Sequence, residues 1–300
     1  MRFTIFKSGN LIGVKRVLAL LPLTLLLAIA TGCGAKDTLD LDPVANAASK
    51  TSEAGSSRVA FEMKLNAAGE RLAFAGEGIF AYDEVRGSMT MDMSSMLPGA
   101  GGGTMEIRML GSMMYMRLPE SLAGEAGLPQ GKVWIGVDLG KALDAAGLGA
   151  LDPVQLQQQS PSQTLRLLRA SSTGVKEAGK ADVRGTETTR YTATLDMKKA
   201  LDATADDLGL NAKQRQELRK AAETMKKQAG VDEIPVEVFV DEDGLLRRML
   251  MKMSMAIEGE RVSMEMLADY YDFGVEVNVE APPAAQVFDV TDELAAGSQG

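Results

Sequence analysis

From Ser57 onward the chain is written in twos: Val59, Phe61, Met63 and Leu65 alternate with Ala60, Glu62, Lys64 and Asn66. That is the period of a half-buried strand, because successive side chains of a strand point to opposite faces. The same grain returns over Leu72 to Ala81, Ser88 to Ser94, Thr104 to Leu110, Met113 to Leu118 and Val133 to Asp138. It returns again over Val175 to Val183, Thr186 to Leu195, Ile234 to Val240, Leu245 to Ile257 and Val262 to Phe273. Turn residues divide these runs at Asn66 to Gly69, Gly111-Ser112, Gly185, Asp241 to Gly244 and Glu258-Gly259. About eleven closely spaced strands of this kind make an antiparallel meander.

Helical segments interrupt the strands. Val44 to Glu53 is rich in alanine, and Asp152-Pro153 and Ser160-Pro161 each pair a capping residue with proline at a first helical position, ahead of Leu165, Leu167 and Leu168. Met197 to Leu208 and Ala212 to Ala229 follow; the second has Asn211 and Gln214 at its start, Leu218, Ala222, Met225 and Ala229 on one stripe, and Gly230 at its end. No proline- or serine-rich linker divides the chain. The simplest architecture is of the α+β class, a single large curved antiparallel sheet with helices packed over its concave face.

Methionine is the unusual feature of the strands. There are 19 in the chain, against 1 Trp, 5 Tyr and 8 Phe. Met89, Met91 and Met93 share one face of their strand, as do Met105, Ile107 and Met109, then Met249, Met251, Met253 and Met255, then Met264 and Met266. β-Branched and aromatic residues usually fill such positions. Methionine is unbranched and polarizable and re-packs around variable contents. A sheet face made of it suits a pocket for flexible apolar ligands, with Phe61, Met63, Met89, Met91, Met93, Met105, Met109, Met249, Met251, Met253, Met255, Met264 and Met266 as candidate lining. By spacing alone, ordinary core outweighs a cavity. Thioethers also bind Cu(I), but such clusters usually come with His or Cys, and no metal is assigned.

Composition closes off most reaction chemistry. The 300 residues include no histidine and one cysteine, so there is no Ser-His-Asp or Cys-His pair and no intrachain disulfide. No Gly-x-Ser-x-Gly elbow or Ser-x-x-Lys motif supplies a nucleophile. Asp241-Glu242-Asp243-Gly244 lacks the ligand spacing of a calcium loop and sits where a hairpin must turn. Pro98 to Gly103 lacks the lysine of a phosphate cradle and reads as a turn. The chain is read as a non-enzyme without a cofactor.

The first 32 residues carry Arg2, Lys7, Lys15 and Arg16 and no acid, followed by an apolar run from Val17 to Ala30. This is the form of a secretory signal, and the run is too short for a membrane span of ~20 residues. It ends in Ile29-Ala30-Thr31-Gly32-Cys33, which resembles the lipobox of bacterial lipoproteins, with Ala30 in place of the commoner leucine. The resemblance implies cleavage before Cys33 and attachment of diacylglycerol to its sulfur. Two or three acyl chains hold a protein on a membrane far more firmly than one. Removing the four bases from the 32 leaves 28 against 41 acids, a balance of −13. Such a body is repelled by nucleic acid, and none is expected as a partner.

Leu128-Pro-Gln-Gly-Lys-Val-Trp-Ile-Gly-Val-Asp-Leu139, Gly185-Thr-Glu-Thr-Thr-Arg-Tyr191 with Leu195-Asp196, Ile234-Pro-Val-Glu-Val-Phe-Val-Asp-Glu-Asp-Gly244, Tyr271-Asp-Phe-Gly274 and Ala281-Pro-Pro283 occur in that order. Together they resemble the actinobacterial lipoproteins of the LppX and LprG type, whose folds are similar to the lipoprotein carrier LolA. Arg190 stands where many relatives have histidine, on the face opposite Tyr191. The resemblance implies a half-barrel enclosing an apolar chamber, and a function in carrying or presenting acylated lipids. It divides the chain into a signal at 1–32, a lipidated tether at 33–43, a LolA-like domain at 44–294 and a tail at 295–300. The expected partners are a membrane, through the anchor on its extracytoplasmic side, and an acylated lipid, with the protein a monomer. The alternative is a surface-tethered interaction or sensor domain whose sheet is filled by its own side chains.

Overall fold

The computed structural model describes residues 43–67, 70–82, 85–94, 103–125, 127–145, 172–207, 210–213, 215–216, 219–220, 223, 233–257 and 260–293. The signal, Cys33, the Pro98 to Gly102 stretch, the helices expected over 153–170 and most of the helix expected over 212–229 lie outside them.

In chain order the elements are α1 (Pro43–Glu53), β1 (Ser56–Ala67), β2 (Glu70–Ala81), β3 (Arg86–Asp92), β4 (Thr104–Leu110), β5 (Met113–Arg117), α2 (Glu120–Glu125), β6 (Trp134–Asp138) and α3 (Leu139–Ala145). Then come β7 (Ser172–Val183), β8 (Thr186–Asp196), α4 (Met197–Asp207), β9 (Glu233–Asp241), β10 (Leu246–Ile257), β11 (Glu260–Tyr271) and β12 (Val287–Asp289). All the described strands join one open sheet in the order β12-β6-β5-β4-β3-β2-β1-β11-β10-β9-β8-β7. An open sheet of this size is consistent with a half-barrel. Eleven of the strands follow the alternation in the sequence. The twelfth does not, and it also corrects the expectation of a wholly antiparallel sheet, because β12 pairs with β6 in parallel. Three residues are too few to show a period, and their partner lies about 150 positions upstream. The short helices α2 and α3 are likewise additions to the pattern read from the sequence.

Local chemistry accounts for the turns. Gly111 at the β4–β5 hairpin has φ +60, and Gly244 closes the β9–β10 turn with φ +78. At that turn Asp241 accepts the Leu245 N–H at 2.8 Å and pairs with Arg247 at 2.5 Å, so its carboxylate is committed to the hairpin. A bulge follows between Leu246 and Arg248. It turns Leu246 inward, where it is fully buried, and its N–H is taken up by the Thr51 hydroxyl of α1 at 2.9 Å. The fixed helix thereby covers a core of Val44, Ala47, Leu195, Ala200, Val236, Val238, Val240, Leu246 and Met249.

After β11 the chain crosses the sheet in extended form. Gly274 N–H donates to the Ser56 carbonyl at 3.0 Å, the Arg108 guanidinium donates to the Glu280 carbonyl at 3.0 Å, and Val133 N–H donates to the Gln286 carbonyl at 3.0 Å. Arg108 also lies over the ring of Trp134, 4.6 Å from its centre. Trp134 and Arg108 both belong to the face away from the methionines, so this strap leaves the methionine face to other contacts.

Candidate functional site

Strand register turns separate methionine stripes into one surface. Directly opposed residues of paired strands share a face. One row runs Val236, Met251, Met266, Met63, Phe74 across β9, β10, β11, β1 and β2. The next runs Val238, Met249, Ala268, Phe61, Gly76, Met91, Met105 and reaches β4. A third runs Val59, Gly78, Met89, Ile107, Met116, Ile135, Phe288 and reaches β12. Met253 and Met264 continue the face beside Leu65 and Leu72, and Met109 does so beside Met114 and Val137. None of these rows contains a charged side chain.

All thirteen residues expected to line a pocket therefore fall on the same face, including Met93 and Met255 by alternation with Met91 and Met253. Register does not make all of them equivalent. Met63, Met91, Met93 and Met249 are buried, Phe61, Met89, Met105, Met109, Met251, Met253, Met255, Met264 and Met266 half-buried. Met63, Phe74, Met91 and Met93 form a compact cluster with Phe61, Met89, Met105, Met264 and Met266 around it, whereas Met249 and Met251 belong to the core beside α1 and Met255 packs beside Leu65 and Val262. Sequence reasoning leaves out Val59, Met114, Met116, Val236 and Val238, although the same two-residue period marks them. It also leaves out Phe80 and the glycines beneath it, for which one strand's pattern gives no signal.

The opposite face is charged. Lys64 stands between Glu62 at 3.1 Å and Glu265 at 3.5 Å, and Lys252 lies 3.9 Å from Glu265. Arg248 makes a two-pronged pair with Asp269 at 2.6 and 2.8 Å. Arg190 points to this side and meets Glu237 at 3.4 Å, as its alternation with Tyr191 requires. The exposed pairs of Lys64 and Lys252 contribute little to stability, whereas Asp269 is buried beneath its pair with Arg248. Clefts of about 250 Å³ lie among Val183, Arg184, Thr186, Arg247, Tyr270, Tyr271 and Asp272, and among Glu62, Ala73, Phe74, Ala75, Asp92 and Ser94.

The end of the methionine face near α1 holds phenols. Tyr82 and the Ser57 hydroxyl hydrogen-bond each other in a buried position. Burial pushes the Tyr270 phenol up to about 12 from its ordinary 10.0, and burial raises Tyr82 too. Because the fold disfavours the phenolate, this contribution to stability is complete below pH 10 and is lost as pH rises from there towards 12. Thermal melts should thus hold steady through the neutral range and fall above pH 10, and Tyr270→Phe should flatten that alkaline limb. An unchanged limb in the variant would show that Tyr270 is not buried as described.

No family model matches the sequence. An uncharacterized 31.2 kDa protein of Streptomyces griseus is 29% identical over 222 residues, 72% of this chain and 68% of its own. A protein of Streptomyces coelicolor, provisionally named a lipoprotein, is 27% identical over 83% of this chain and 74% of its own. Among solved structures, LprF of Mycobacterium bovis aligns over 80% of this chain and 95% of its own, with 12% identity and a TM-score of 0.43. The sequence likeness to the second streptomycete protein is consistent with the lipoprotein group that the motifs resemble.

Proposed function

We propose that this protein is a lipoprotein, anchored through Cys33 to the extracytoplasmic face of the cell membrane, that binds and carries or presents acylated lipids. The observation that carries the reading is the uncharged methionine face, continuous from β9 to β12. Thioether side chains adapt to an acyl chain without locking it, and each buried methylene contributes ~0.8 kcal/mol. One long chain then supplies most of a micromolar affinity with no polar anchor. The sequence likeness to a streptomycete lipoprotein and the lipobox support the anchor.

The burial of Met63, Phe74, Met91 and Met93 against one another favours a second reading, a tethered domain whose sheet fills itself. Lipid analysis separates the two. Full-length protein purified from membranes should release acylated lipid beyond its covalent anchor and should bind a fluorescent fatty acid that unlabelled acyl chains displace. Protein that yields no such lipid and binds no probe is the self-filled domain.

A further inference from the structure

We infer that Phe61 and Phe80 set the length of acyl chain that the methionine face accepts, an inference that rests on the acyl-binding reading above. Three glycines face the methionine side where alternation would otherwise place side chains: Gly76 and Gly78 on β2, and Gly87 on β3. The rings of Phe61 and Phe80 take the space that the missing side chains leave along β2, between Val59 on one side and Met89 and Met91 on the other. Phe61 is opposite Gly76, and a Cβ built there would meet its Cζ at 2.5 Å; one on Gly78 would meet Phe80 Cε2 at 2.7 Å, and one on Gly87 would overlap Phe80 Cδ1. Both rings are half-buried and rest on bare backbone. At the far end of this space Ser57, opposite Phe80, is fully buried and accepts a hydrogen bond from Tyr82. This is the blind end for a chain terminus, and the rings are its stops.

The test is titration calorimetry of the full-length protein with straight-chain fatty acids from octanoate to arachidate. In the wild type, affinity should rise about fourfold per methylene, the equivalent of ~0.8 kcal/mol, and then level off. Phe80→Ala and Phe61→Leu should move the plateau to longer chains, and Phe80→Trp should move it to shorter chains. A plateau at one length in all four proteins overturns the role of the rings while leaving acyl binding in place. Wild-type protein that binds no fatty acid overturns the acyl-binding reading and the stops with it.

Discussion

Alanine in place of Gly76 should destabilise the protein by about 3 kcal/mol or more, at the upper end of what overpacking a strand costs. The added methyl would lie within the van der Waals envelope of the Thr90 carbonyl oxygen on β3 and against the Phe61 ring. The ring can turn aside. The carbonyl cannot, because it belongs to a strand held between β2 and β4. Gly55 provides the contrast. It has φ +75 but nothing within 4 Å of the place a methyl would take, so Gly55→Ala carries only the left-handed backbone penalty of roughly 1–2 kcal/mol. Urea denaturation in detergent solution should place the midpoint of Gly76→Ala below that of Gly55→Ala, and the reverse order would mean that β2 and β3 lie further apart than described.

Cys33→Ser should abolish lipid attachment altogether. The thioether requires a thiol, serine supplies only a weakly acidic hydroxyl, and the chain has no second cysteine to take over. Cells grown with alkyne-tagged palmitate should label the wild-type protein and leave the variant blank. Label retained on Cys33→Ser would place the modification elsewhere and remove the lipobox reading. Nine residues, Gly34 to Asp42, lie between Cys33 and α1, so a lipid attached at Cys33 would hold the start of the helix within about 36 Å of that residue.

Much of this architecture is legible residue by residue. Met89, Met91 and Met93 declare a common face because a strand has period two whatever surrounds it. Gly111 and Gly244 declare turns because their positive φ suits glycine. What stays hidden depends on distant partners. Val287 to Asp289 becomes a strand only because Trp134 to Gly136 offers an edge to it. The rings of Phe61 and Phe80 find room against the sheet only because Gly76 and Gly87 sit opposite them. A lone glycine in a strand reads equally as a bulge, a bend or a close contact.

The sequence by itself determined eleven of the described strands, the side of each that is apolar, and the chemistry that the absence of histidine rules out. All of these except the last are properties of short segments. Tertiary structure decided that β1 lies between β2 and β11, elements separated by nearly the whole folded chain. That choice joins Met249 of β10 to Met91 of β3 and Met105 of β4 in a single row. The physical reason is that side-chain alternation is local, whereas register is a relation between strands: a slip of one residue would send every apolar side chain of a strand to the charged face, so burial of one face selects the pairing that makes the methionine surface continuous.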